Sequence, residues 1–164
     1  MTVRLQPMTQ ADYLQWRGEA ERHYAQEFVD SGILTEADAA ERAAGDFGTL
    51  LPEGLDSADH YLSTAFDGDQ AVGMIWVWVG SKYGADSFIY DIMVDAEQRR
   101  RGYGRAILVA CEDELRRRGI GSISLNVFGA NTAALHLYET FGFEVVDRQT
   151  EDGRVLATQM RHAF

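Results

Sequence analysis

Between an apolar run and an amphipathic one lies the stretch Asp95-Ala96-Glu97-Gln98-Arg99-Arg100-Arg101-Gly102-Tyr103-Gly104-Arg105. Its two glycines let the backbone approach a ligand without a Cβ in the way. A helix starting there presents free N–H groups and the positive end of its dipole, which together hold anions. Arg99, Arg100, Arg101 and Arg105 add cationic donors. Such a set cradles a pyrophosphate; a tight loop with solvated arginines would read the same way in isolation. Spacing excludes two other phosphate binders. Residue 107 is Ile, so no Gly-x-Gly-x-x-Gly fingerprint exists, and no Gly-Lys-Ser/Thr follows the glycines.

A second constellation follows one helix and one strand later: Asn131-Thr132-Ala133-Ala134-Leu135-His136-Leu137-Tyr138-Glu139-Thr140-Phe141-Gly142-Phe143. Arg99-Arg100-Arg101-Gly102-Tyr103-Gly104 resembles the signature Gln/Arg-x-x-Gly-x-Gly/Ala of the GNAT N-acetyltransferase superfamily. The second stretch resembles that family's motif Asn-x-x-Ala-x-x-x-Tyr-x-x-x-Gly-Phe. Both stand in the family's order and spacing, and the resemblance is strong over about residues 60–146.

The resemblance implies definite roles. Acetyl-CoA, with no metal, would lie where the strand at 87–94 splays from the strand at 122–128. Backbone groups of Ile92, Met93 and Val94 would meet the pantetheine arm. The run Arg99, Arg100, Arg101, Gly102, Tyr103, Gly104 and Arg105 would hold the pyrophosphate, with Asn126, Asn131 and Ala134 adding cofactor contacts. Tyr138 would protonate the leaving thiolate, and an amine would attack the acetyl group directly. Elementary chemistry asks for the same parts: a neutral amine, N–H groups for the developing oxyanion and a proton donor for sulfur.

The general base is less legible. Strict alternation along 87–94 sets Phe88, Tyr90 and Ile92 on one face and Ile89, Asp91 and Met93 on the other. The face expected to meet substrate then carries only Tyr90. Asp91, the one acid of the strand, either acts through water or anchors a neighbouring element, because a buried acid must be paired. Tyr24, Glu27, Phe28, His60 and Trp76 are the candidate acceptor-site residues: the first two helices and their connection wall the acceptor site in the family, and strand residues add to it. Their acidic and aromatic character suits a small cationic amine. They would also serve as core aromatics and solvent-facing acids. A protein or peptide amine as acceptor, and an acyl-CoA sensor without turnover, are the alternatives.

The elements that must position these groups follow from periodicity. Residues 2–7 read as a strand. Thr9 caps a helix over 10–30, and Thr35 caps another over 36–51. Strands follow at 60–67, 71–79 and 87–94, the first two joined at Asp67-Gly68-Asp69. A helix over 103–118 turns Ile107 or Leu108, Cys111 and Leu115 inward. Its outer face offers Glu112–Arg116, Asp113–Arg117 and Glu114–Arg118 as pairs, and Gly119 closes it. A strand at 122–128, a helix from Asn131 to about 141, and strands near 143–148 and 154–162 complete the chain. The order β-α-α-β-β-β-α-β-α-β-β describes an α/β (α+β) sandwich around one mixed, mostly antiparallel sheet, with residues 1–164 forming one domain.

Composition narrows the partners. The net charge is −11, which disfavours nucleic acid. Residues 1–60 carry 12 acids and 4 bases, leaving 14 acids and 11 bases for the rest. That acidic half either attracts cationic substrates or keeps a helical surface solvated. No apolar run approaches the roughly 18–20 residues of a membrane span, and the N-terminus lacks a signal core, so a cytoplasmic location is expected. Cys111 is the only cysteine, so no internal disulfide forms, and its inward position reads as core. The chain is expected as a monomer or homodimer, with the strand edges at 154–162 as the candidate contact.

Overall fold

The computed structural model describes residues 1–164. The chain runs β1 (Arg4–Pro7), α1 (Gln10–Asp30), α2 (Glu36–Leu50), β2 (His60–Asp67), β3 (Gln70–Lys82), β4 (Ala85–Val94), α3 (Tyr103–Arg117), β5 (Ser122–Phe128), α4 (Thr132–Phe141), β6 (Glu144–Glu151) and β7 (Arg154–Ala163). This is the order that periodicity gives. The side chains of Thr9 and Thr35 accept from the amides of Asp12 and Asp38, at 3.1 and 3.3 Å. Asn131 accepts from Ala134 at 3.1 Å. Each such cap is worth about 1 kcal/mol. Only α3 starts without one; Gly102, at φ 87°, turns the chain into it.

Seven strands form one sheet in the order β1-β2-β3-β4-β5-β7-β6. Every pairing is antiparallel except β4 with β5. Trp16, Phe47, Leu62, Met74 and Trp76 form a core where α1 and α2 cover one face. Ile75, Ile89, Ile107, Cys111, Leu125, Tyr138 and Met160 form another beneath α3 and α4. The sheet therefore lies between two helical layers, each burying one of its faces.

Three expectations are corrected. β3 and β4 run further than 71–79 and 87–94, because Lys82 pairs with Ala85 across the two-residue turn Tyr83-Gly84. β7 is no edge: it inserts between β5 and β6, so the free edge at that end belongs to β6, all of whose residues are exposed. On α3, Glu112–Arg116 and Glu114–Arg118 pair at 2.7 and 2.8 Å, but Arg117 turns to Glu114 at 2.6 Å instead of to Asp113. One carboxylate with two oxygens serves both arginines. Cys111 is buried, and burial pushes its thiol up to about 12, which makes it an inert core residue.

Candidate active site

The parallel pairing of β4 with β5 is short. Phe88 faces Ser124 and Ile89 faces Leu125, and beyond them the two strands part. The Asp95 amide donates to the Val72 carbonyl on β3 at 2.9 Å. Backbone direction alternates along a strand, so Met93 also turns its polar groups to β3, while Ile92 and Val94 turn theirs into the gap. Gly73 agrees: a Cβ there would collide with the Met93 carbonyl. Within the gap, Arg99 Nε donates to the Val94 carbonyl at 3.3 Å.

Just above the gap, β4 bulges. Trp76 lies opposite Asp91 and Val77 opposite Ile89, which leaves Tyr90 as an extra residue. A bulge resets the alternation of faces, so the alternation expected from sequence does not hold. Tyr90 and Asp91 both turn to the side of α1 and α2, while Ile89 and Ile92 pack on the α3 side. Tyr90 stacks on Trp76 with ring centroids 4.7 Å apart. The Asp91 carboxylate accepts from Trp16 Nε1 at 3.1 Å. The face of β4 expected to meet substrate therefore does carry a carboxylate.

A narrow cavity of about 40 Å³ opens at this point. α1 contributes Ala20, His23, Tyr24 and Glu27, α2 contributes Asp46, Phe47 and Leu50, and the sheet contributes Trp76, Tyr90 and Asp91. Two of its acids are engaged. Asp46 accepts from Tyr24 Oη and Arg42 Nε, both at 2.9 Å. Glu27 lies 3.5 Å from His23 Nε2 and 3.4 Å from Asn131 Nδ2. Asp91 has no cationic partner of its own. Burial raises its carboxyl to about 6, and the Trp16 hydrogen bond and nearby His23 hold that rise in check. A carboxyl poised near neutrality beside a cavity has the property of a general base.

Tyr138, on α4, is buried against Phe143, ring centroids 5.5 Å apart. Burial first, then the negative charges of Asp91 and Glu27, raise its phenol well above the usual value. Its hydroxyl is thus fully protonated at neutral pH and electrostatically coupled to the acids of the cavity.

At the far end of the gap, Arg100 and Gly102 both have positive φ, 60° and 87°. The first bond back to this turn is Ala106 N–H to the Gly102 carbonyl at 3.1 Å. The amides of Tyr103, Gly104 and Arg105 precede it and are free to bind an anion. Side chains brace the loop from behind. Tyr103 Oη donates to Asp67 at 2.6 Å, and Arg101 donates to buried Gln98 at 2.7 Å. A Cβ on Gly102 would meet only Met1 Sδ, at an ordinary contact distance of 3.9 Å, so the glycine serves the backbone turn at positive φ. The donor set fits a pyrophosphate.

The other candidate residues fall in different places. Trp76 floors the cavity, and Tyr24 and Glu27 wall it. Phe28 packs 4.9 Å from both Tyr24 and Phe128, in the core behind the wall. His60 Nδ1 accepts from Trp76 Nε1 at 2.9 Å, and burial lowers its pKa. It borders a separate groove beside β1 together with Leu55 and Asp56. Asn126, past the point where β5 leaves β4, accepts from Gln159 at 2.6 Å. Asn131 both caps α4 and reaches Glu27, and the Ala134 amide is taken by that cap. Sequence reasoning did not pick out His23 and Asp46. Asp46 borders the stripe Ala39, Ala43 and Phe47 of α2, and phasing that helix would have brought it to the cavity's margin. No three His, Cys, Asp or Glu side chains converge as a metal-binding set.

Residues 13–143 match the family model described as the acetyltransferase (GNAT) family. The chain belongs to that family. As a GNAT protein it is an acyltransferase, and the resemblance drawn from the two motifs holds. It is 33% identical over 149 residues to YycN, an N-acetyltransferase of Bacillus subtilis (strain 168), covering 90% of this chain and 96% of the relative. The YycN crystal structure superposes with a TM-score of 0.86 at 31% identity, over 92% of this chain and 98% of that one. Mycothiol acetyltransferase of Rhodococcus erythropolis is 37% identical over 118 residues, 70% of this chain but 38% of the relative. The spermidine N-acetyltransferase of Vibrio cholerae, solved with CoA and spermine, shares the GNAT fold at 15% identity, with a TM-score of 0.67 over 99% of this chain and 95% of that one. No helix is long and apolar enough to cross a membrane.

Proposed function

We propose that the protein transfers an acetyl group from acetyl-CoA to a small cationic primary amine by direct attack. The observation that carries this reading is the bulge at Tyr90, which turns Asp91 into an acidic cavity at the mouth of the β4–β5 gap. Its negative wall attracts an ammonium, and Tyr24, Trp76 and Tyr90 offer ring faces to it. The narrowness of the cavity favours a slender acceptor over a folded protein surface. The spermine-bound V. cholerae relative is consistent with that choice.

The residues divide the work along the gap. The amides of Tyr103, Gly104 and Arg105, with the Arg99, Arg100 and Arg105 side chains, hold the pyrophosphate of acetyl-CoA. Ile92 and Val94 offer backbone groups to its pantetheine arm, with Met93 between them and Asn126 and Asn131 bordering the gap. The Ile92 N–H faces the developing oxyanion. Asp91 takes the proton the ammonium must lose, directly or through a water. A free alkylammonium titrates at about 10.4, so transfer to a carboxyl at about 6 is uphill, and attack comes from the small fraction of amine that has lost this proton and freed its lone pair. Tyr138 faces the leaving sulfur. Its raised pKa works against outright donation to a thiolate whose thiol titrates at about 8.5. A strong hydrogen bond to sulfur, with the proton resupplied from the attacking amine, is the role that fits.

The test is release of free CoA from acetyl-CoA, followed with a thiol reagent across small amines and short peptides. Release that depends on a small cationic amine supports the proposal. Release with peptides alone reassigns the acceptor class. Binding of acetyl-CoA without release from any acceptor supports the sensor reading, and absence of binding removes the assignment of the gap.

A further inference from the structure

Lys82 is the only lysine of the chain, and it is held in an aromatic cage beside the cavity. Its Nζ lies 4.2 Å from the ring centroid of Phe88, 5.1 Å from that of Tyr90 and 5.6 Å from that of Tyr83. The cage is built at some cost. Tyr83 takes a positive φ of 51° ahead of Gly84 at 74°. A bulky side chain in that region is strained. The turn seats the Tyr83 ring 5.9 Å from Phe88, which closes the cage on its outer side. The inner wall is Tyr90, whose ring is shared with the acidic cavity and whose chain neighbour is Asp91. The ammonium is also within the field of Asp46, another residue of that cavity. Loss of hydration among the rings lowers the pKa of Lys82, which raises its fraction of free amine. A cage with this composition is a cation site, and the chain has filled it with its one primary amine side chain.

We propose that Lys82 Nζ is an acceptor for the protein's own active site, so that the enzyme acetylates itself at this single lysine. The inference rests on the assignment of the gap and cavity made above. The free amine of Lys82 attacks the acetyl carbonyl carbon of acetyl-CoA. The N–C bond forms and the C–S bond breaks. The one proton that the amine loses is passed by way of the cavity acids to the departing sulfur, which leaves as CoA thiol. The product is a neutral acetyl-lysine, so the cage no longer contains a fixed positive charge.

The experiment needs only the purified protein and acetyl-CoA, without an added amine. Intact mass and peptide mapping should show one acetyl group on Lys82, gained at least about ten times faster than by the urea-unfolded chain. The rate per molecule should not change with protein concentration, as expected of transfer within one chain. Lys82→Arg, which keeps a cation in the cage, should abolish the gain while acetyl-CoA binding by calorimetry persists. Gly102→Glu should abolish both. Acetylation at the N-terminal amine instead, or equal rates in folded and unfolded protein, would overturn the proposal. So would an unmodified Lys82 in protein that binds acetyl-CoA and acetylates an added amine, an outcome that leaves the transferase reading intact. Absence of acetyl-CoA binding would remove both.

Discussion

Asp91→Asn should make the protein more stable and nearly inactive, and the gain in stability should depend on pH. Asparagine keeps the shape of the side chain and an oxygen to accept from Trp16 Nε1, so the packing around 91 is preserved. It removes the cost of holding a charge in a buried place. The Asp91 carboxyl is raised from 3.8 to about 6. That interval, at about 1.4 kcal/mol per pH unit, gives a ceiling of about 3 kcal/mol. Below pH 4 both folded and unfolded chains carry the proton, and no difference attributable to this charge remains. Between about pH 4 and 6 the folded state keeps a proton that the unfolded state has lost, so the wild type loses stability relative to the variant. Above about 6 the difference is constant. For a chain of this size the ceiling corresponds to a rise in Tm of about 6–12 °C at pH 8. Turnover should fall by about 10²–10⁴-fold with loss of the proposed base, and the rising limb of the wild-type kcat/KM profile near pH 6 should vanish. The assay is thermal unfolding at pH 4 and pH 8 beside thiol release over the same range. A stability difference of equal size at both pH values, or a variant that keeps the wild-type limb, would refute the reasoning.

Other substitutions test neighbouring parts. Trp16→Phe removes the N–H that favours the Asp91 carboxylate, so the limb should move to higher pH, with kcat/KM down roughly two- to tenfold at pH 6 and little changed at pH 9. Tyr138→Phe should lower kcat by about 10–10³-fold with KM for acetyl-CoA nearly unchanged, because the role proposed for the hydroxyl is at the leaving sulfur. Gly102→Glu adds strain at φ 87° and an anion in the pyrophosphate cradle, so calorimetric affinity for acetyl-CoA should fall at least about a hundredfold.

Much of this architecture is written locally. Thr9, Thr35 and Asn131 cap helices because their oxygens reach the amides three residues on, a relation that needs no tertiary information. The stripe Ile107, Leu108, Cys111 and Leu115 finds its face from helical period alone. Gly102 and Tyr138 are visible because a turn and a motif require those residue types. What the sequence hides depends on partners distant along the chain. Nothing within Phe88-Ile89-Tyr90-Asp91-Ile92 marks Tyr90 as the extra residue; the bulge arises from pairing with Trp76 and Val77. The insertion of β7 between β5 and β6 is a choice between two edges that alternation cannot make. Nothing local marks Lys82 either; the Tyr83-Gly84 turn folds it over Phe88 and Tyr90.

The brief pairing of β4 with β5 divides the sheet mechanically. β1 to β4 form one plate and β5, β7 and β6 another; the ladder at the seam between them is two residue pairs long, reinforced at one end by hydrogen bonds of Ser122 and Ser124 to Asp86, Ser87 and Lys82. Above it, α1 crosses like a strap: Ser31 Oγ accepts from the Ala130 amide at 3.3 Å, and Glu27 meets Asn131. A substrate lying in the seam with its arm on Ile92 and Val94 becomes mortar between the plates. On the proposed binding mode, the enzyme's rigidity is partly borrowed from its metabolite. Amide exchange at Ile92 and Val94 should slow when acetyl-CoA binds, and the melting temperature should climb with its concentration. A cell short of acetyl-CoA would hold this protein in its loosest form.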